Sequence, residues 1–279
     1  MFSGIPSETP LDLRFWLFGI HVRVHPLHWV IAAILGWDLT RGNLLYLALW
    51  VVCVFVSVLI HEVGHVLTGR LFGSDGRIIL FSFGGVAIGA SDLRERWQRI
   101  LVYAAGPSIQ LVLLGVVLAS AYFCTPFTPI KGQAFLHDLR DLWGHLLFVA
   151  FHLTKARSLV DALFGILFLI NLFWPIFNLL PIWPLDGGKI AREILEGALG
   201  HRGVIASLWL SIILAGCLAV QVLLNNYGPD RELIPYVSRW VGDSMFNALF
   251  FALFCISGFQ ALQAERSRSR WDEELPWER

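Results

Sequence analysis

The chain has 279 residues and is 56% hydrophobic and 14% aromatic, with only 15% charged residues and a mean hydropathy of +0.65. Soluble domains carry about 25% charged residues, so this composition excludes an ordinary water-soluble fold. The 21 basic and 21 acidic residues cancel, leaving no basic excess of the kind that holds nucleic acid.

In chain order, Met1 to Leu13 is polar, contains Pro6 and Pro10, and lacks the apolar centre of a cleavable signal peptide. Residues 15–24 (FWLFGIHVRV) partly alternate apolar and polar side chains, which predicts a short strand at the membrane interface. Leu27 to Trp37 is apolar but needs its flanks to cross a bilayer. Leu44–Ile60 is an unbroken apolar run that leads directly into His61-Glu62-Val63-Gly64-His65. Arg77 to Ala90 (RIILFSFGGVAIGA) is rich in β-formers around Gly84-Gly85 and predicts a hairpin or kinked strand pair. Open strand edges are not tolerated in hydrocarbon, so residues 15–24 and 77–90 should form a small β element at the interface.

Ile100–Cys124, Leu159–Leu180, Val204–Leu224 and Phe246–Leu262 are each long enough, or nearly so, to span. The expected fold is therefore an all-α membrane protein with about six transmembrane helices. Without internal repeats or a linker, one polytopic domain over residues 1–279 is the simplest organisation. Residues 125–158 form an insertion whose apolar and charged residues fit either an amphipathic outer helix or a gate for substrate ectodomains. Cys53, Cys124, Cys217 and Cys255 have no CxxC spacing and read as small core hydrophobes.

With six spans, segments 1–26, 70–99, 181–203 and 263–279 share one side and carry 14 of the 21 basic residues. That side should be cytoplasmic, with both termini and the tail 263–279 on it and insertion 125–158 facing outward. A plasma-membrane location follows as the expectation.

On a helix, His61 and His65 share one face and can hold one zinc ion between neutral imidazoles, with Glu62 adjacent. A catalytic zinc site takes three protein ligands and keeps one open position. The best third ligand is Asp186, in Asn178-Leu-Leu-Pro181-Ile-Trp-Pro184-Leu-Asp186-Gly187-Gly188. Pro181 and Pro184 cannot continue a helix, so the span ending here must unwind. Unwound backbone at membrane depth lines a cavity or packs on protein.

HEVGH together with NLLPIWPLDGG resembles the site-2 protease family of intramembrane zinc metalloproteases. Ala105-Gly106-Pro107 is similar to that family's AGPxxN element, with Gln110 where the pattern has Asn. The Phe83-Gly84-Gly85 stretch resembles the membrane-associated β element that follows the HExxH helix in the family. The resemblance covers about Val22 to Leu195 and suits a compact member without PDZ or CBS domains. It implies one zinc ion per chain on His61, His65 and Asp186, with Glu62 as general base. It also implies hydrolysis of peptide bonds in transmembrane or signal-peptide-like substrates, within the bilayer and without nucleic acid.

Two further roles are expectations from chemistry. Asn178 can support the oxyanion or substrate backbone. Phe83, Gly84 and Gly85 can offer a strand edge to an unwound substrate. Two rivals remain at this stage: an inactive relative that only binds membrane proteins, and a divalent-metal transporter using the same ligands. Glu62 disfavours the first, and the absence of internal repeats disfavours the second.

Overall fold

A computed structural model describes residues 7–81, 84–88, 93–124, 135–225 and 245–274. The chain divides into two compact units, one reaching Phe177 and the other running from Asn178.

The first unit begins with a hairpin, β1 (Leu13–Leu17) and β2 (Ile20–Val24). Leu17 pairs with Ile20, so Phe18 and Gly19 alone make the turn. Both have positive φ, 49° and 70°, the conformation that a tight two-residue hairpin turn requires. The single strand expected over 15–24 is thus two strands. Gly19 is the turn residue, and partial alternation on both sides of it hid the reversal.

His25 caps helix α1 (Pro26–Thr40) by accepting the Leu27 N–H on Nδ1 at 3.2 Å, and Pro26 stands where its missing N–H costs nothing. With 15 residues, α1 is about 22 Å long, shorter than a hydrocarbon core of about 30 Å. Helix α2 (Leu44–Leu71) is capped by Asn43, whose Oδ1 accepts from Leu45 and Tyr46. Its 28 residues exceed the thickness of the hydrocarbon, and its last third carries the HEVGH segment.

Strands β3 (Arg77–Phe81) and β4 (Gly84–Ile88) form the expected hairpin. β3 also pairs in parallel with β2, giving the order β1-β2-β3-β4. Parallel neighbours need a long crossover, and α1 with α2 supply it. Ile20, Val22, Val24, Ile78 and Leu80 are fully buried and join Val54, Val58 and Val66 of α2 in one core.

Helix α3 (Arg96–Cys124) packs along α2. A Cβ at Gly64 would lie 2.9 Å from the Ala105 carbonyl oxygen, so the two backbones are almost in contact there. The insertion contains helix α4 (Phe135–Phe151). Its Leu142 and Leu146 pack with Leu114, Val117 and Ala121 of α3 and with Phe168 of helix α5 (Leu159–Asn178). Asp161 ties α4 to α5, since its carboxylate meets His145 Nε2 at 2.8 Å and accepts the Arg157 N–H.

In the second unit, residues after Asn178 leave the helix as expected from Pro181 and Pro184. Among the described residues three helices follow, α6 (Asp186–Leu199), α7 (His201–Asn225) and α8 (Met245–Glu274). Val204 and Leu208 of α7 and Leu262 of α8 form one core. Glu265 of α8 takes Arg192 at 3.5 Å and His201 at 3.8 Å.

Among the described residues, five helices are long and apolar enough to cross a membrane: α2, α3, α5, α7 and the Asn247–Ser267 part of α8. They make this an integral membrane protein. Val52, Val112, Val116, Ile213 and Leu249 are all more than half exposed, as lipid-facing positions should be.

Two outcomes check this packing. Leu146→Ala should lower stability by about 2–5 kcal/mol, because a closed core cannot fill the space left behind; thermal unfolding in detergent measures it. Asp12 accepts hydrogen bonds from Thr9 Oγ and N and lies 3.6 Å from Arg23. The Thr9 hydroxyl first, and Arg23 among smaller causes, holds its carboxyl below the usual carboxylate range. A depressed acid stabilises the fold above its unfolded pKa, and that contribution is lost as pH falls through the folded value. The protection factors of β1 amides, with the intrinsic pH dependence of exchange divided out, should therefore fall on acidification below about pH 4, and Asp12→Asn should abolish that fall.

Candidate metal centre

The centre is built where α2 and α3 touch. His61, Glu62 and His65 are 2%, 5% and 5% exposed. The imidazole planes stand at 82°, and the two Nε2 atoms approach to 3.0 Å.

Each outer ring nitrogen is occupied. His65 Nδ1 faces the Val102 carbonyl oxygen at 2.6 Å, and His61 Nδ1 faces Gln110 Oε1 at 2.9 Å. A carbonyl oxygen only accepts, so both Nδ1 atoms carry hydrogen, and in the neutral imidazoles that a metal requires both Nε2 atoms carry lone pairs. Two lone pairs converging at this distance repel each other unless a positive charge lies between them. Nitrogen ligands on a tetrahedral zinc are about 3.3 Å apart, given Zn–N bonds of about 2.0–2.1 Å. The donor set and its spacing fit a metal ion.

Glycine makes room for the pair. A Cβ at Gly106 would lie 2.8 Å from His61 Nε2 and closer still to His65 Nε2. Gly106, in the AGP element, brings α3 backbone onto the imidazole pair. Gly85 of β4 does the same for Glu62, since a Cβ there would lie 2.7 Å from Glu62 Oε1. The strand thus runs directly beside the buried carboxylate. Gly84 lies in the same strand, near the Trp174 ring, while Phe83 lies outside the described residues.

The remaining candidates belong to the second unit. Asn178 is the last residue of α5 and is 9% exposed. Asp186 is the first residue of α6 and is 4% exposed. The preceding loop folds onto the start of α6: Leu185 N–H donates to the Ile182 carbonyl at 2.8 Å, and Trp183 N–H donates to Ser211 Oγ at 2.7 Å. A Cβ at Gly187 would lie 2.5 Å from the Leu180 carbonyl oxygen, so only glycine admits this return. The Asp186 carboxylate is held by Lys189 Nζ at 3.2 Å.

Sequence reasoning did not foresee the Gln110 contact. The departure from the family's Asn left that position without a role, yet Gln110 is fully buried against His61. Its polarity within an apolar span was the available signal.

The model of peptidase family M50 matches residues 49–220, more than half of the chain, and the chain belongs to that family. A Synechocystis sp. protein with a zinc metalloprotease name is 30% identical over 229 residues, covering 74% of this chain and 52% of the relative. A zinc metalloprotease of Methanocaldococcus jannaschii is 27% identical, covering 79% of this chain and 54% of its own length. The chain thus spans about half the length of these curated relatives. The solved site-2 protease from M. jannaschii matches with a TM-score of 0.50 over 90% of this chain and 95% of that one, at 22% identity; it shares the fold.

Gly106→Ala should place a methyl group where the two imidazoles converge and abolish divalent-metal uptake, as measured by metal content of the purified chain. Gly85→Ala should displace the Glu62 carboxylate and leave metal content intact.

Proposed function

We propose that this chain is an intramembrane zinc metalloendopeptidase that cuts transmembrane or signal-peptide-like segments of membrane proteins. The observation that carries the reading is the His61–His65 pair, with both Nδ1 atoms engaged and both Nε2 atoms convergent, beside a buried Glu62. Membership of a peptidase family supports the reaction type.

His61, His65 and Asp186 would hold one zinc ion per chain. When bound, zinc supplies Lewis-acid polarisation of a carbonyl and makes water nucleophilic near neutral pH. Burial of Asp186 supports its part in this set, because a buried carboxylate needs positive charge nearby. Lys189 supplies some of that charge at 3.2 Å. In this reading Glu62 takes the proton from the attacking water and delivers it to the leaving amine. Asn178 donates a hydrogen bond to the carbonyl oxygen as negative charge develops there.

A helical substrate hides its carbonyls in i→i−4 hydrogen bonds and must unwind before attack. Among the described strands, β1 and β4 are the two sheet edges. The β4 edge is the suitable one, since Gly85 lies against Glu62. An extended substrate segment adding to β4 would have its backbone aligned beside the general base. With α1 counted as a sixth crossing, catalysis sits near the cytoplasmic end of α2, in a plasma membrane with both termini cytoplasmic, as the distribution of basic residues supports.

Glu62→Gln should keep zinc and lower cleavage by about 10²–10⁴-fold, the usual contribution of a general base. Mass spectrometry of membrane peptides that accumulate with this variant would identify the substrates. Equal cleavage by wild type and Glu62→Gln would defeat the proposal. Asp186→Ala should lose both zinc and activity. Ala87→Pro, which removes an N–H facing away from β3, should slow cleavage with zinc retained if β4 is the docking edge.

A further inference from the structure

A buried polar chain runs outward from the imidazole pair and joins three helices. His61 Nδ1–H donates to Gln110 Oε1 at 2.9 Å, and Gln110 Nε2 donates to the Ser57 carbonyl oxygen at 3.3 Å. Asn171 Nδ2 donates to Ser57 Oγ at 3.1 Å and to the Leu167 carbonyl at 2.8 Å. Ser57, Gln110 and Asn171 are all fully buried. Each member stands on a different span: Ser57 on α2 with His61, Gln110 on α3, and Asn171 on α5.

The direction of the Gln110 amide is fixed by its neighbours. The Ser57 carbonyl can only accept, so the Gln110 NH₂ must face it. The Gln110 oxygen therefore faces His61 and can only accept from Nδ1–H. This excludes the other neutral tautomer of His61, in which Nε2 carries the hydrogen and cannot ligate a metal. His65 gets the same service from a backbone carbonyl, that of Val102, which no substitution removes. His61 alone depends on a replaceable side chain.

We infer that Gln110 is a positioning residue, which sets the His61 tautomer and aims Nε2 at the metal. Orienting partners of this kind typically change metal affinity by about 10–100-fold. Without Gln110, the proton has a better location than Nδ1. It moves to Nε2, where the His65 Nε2 lone pair accepts it across 3.0 Å. The pair would then close on itself by a hydrogen bond and present one lone pair fewer to the metal. The Asn171–Ser57 bonds hold the adjoining helix and do not touch the imidazole, so they define a control within the same polar chain.

The inference rests on the zinc reading above, and the experiment separates their failures. The full chain is purified in detergent micelles with ¹⁵N-labelled histidine and stripped of metal. Long-range ¹H–¹⁵N NMR then reads the His61 tautomer, its signals being assigned by their loss in His61→Ala. Wild type should show Nδ1–H. Gln110→Leu should shift His61 towards Nε2–H. Gln110→Asn, one methylene shorter, loses both contacts with less change in polarity and decides the question if the leucine variant does not fold. Zinc affinity by chelator competition should fall about 10–100-fold in Gln110→Leu, and stay within about three-fold of wild type in Asn171→Leu. An unchanged tautomer in Gln110→Leu and Gln110→Asn would overturn the inference. So would an Asn171→Leu variant that loses zinc as strongly as Gln110→Leu. Wild type that takes up no zinc defeats the zinc reading instead, and the tautomer measurement still decides the role of Gln110.

Discussion

Everything at the candidate centre depends on keeping two imidazole lone pairs pointed at each other. That arrangement is unfavourable in isolation, because like partial charges face each other at 3.0 Å. It holds because the opposite nitrogen of each ring is committed to an acceptor on α3, and because the rings are too buried to turn towards water. An apolar surrounding raises the stakes further, since a buried polar group without a partner costs several kcal/mol in hydrocarbon. The neighbouring helix therefore does more than cover the histidines. It selects which of their nitrogens is available for chemistry.

Close approach of backbones is the means by which this is done. Gly64 lets α2 and α3 touch, and Gly106 lets the α3 main chain lie over the imidazoles without blocking them. Membrane helices gain little from burying apolar side chains against one another, because lipid is equally apolar, so small residues and interhelical hydrogen bonds carry the association. In this chain Gly106 serves both the helix contact and the imidazole pair, since a side chain there would lie against both Nε2 atoms. Packing and chemistry are therefore not separable at this point.

The sheet plays the corresponding part for Glu62. Its outer strand brings Gly85 against the carboxylate, and its inner strands are anchored by fully buried Ile20, Val22, Val24, Ile78 and Leu80. The parallel pairing of β2 with β3 closes around α1 and α2, so the strand beside Glu62 is tied to the helix that carries it. In the second unit, the segment before Asp186 is ordered by its own turns and by Ser211. The first residue of α6 is held without a side-chain cap, the Leu185 N–H bonding back to Ile182.

The helical membrane class, the apolar spans and the HEVGH face were set by the sequence itself. Hydropathy over a span length and a four-residue helical spacing are local properties, and nothing distant alters them. The break after Asn178 was equally legible, because Pro181 and Pro184 together remove two helical N–H donors within one turn, whereas the lone Pro107 and Pro175 are carried inside α3 and α5. Tertiary structure alone decided that 15–24 folds into a hairpin paired with β3, that Gly106 is the floor of the imidazole pair, and that Gln110 faces His61. Those facts depend on which residues from separate spans are brought within hydrogen-bond reach. Such meetings are fixed by helix packing over tens of residues, and no window of sequence records them.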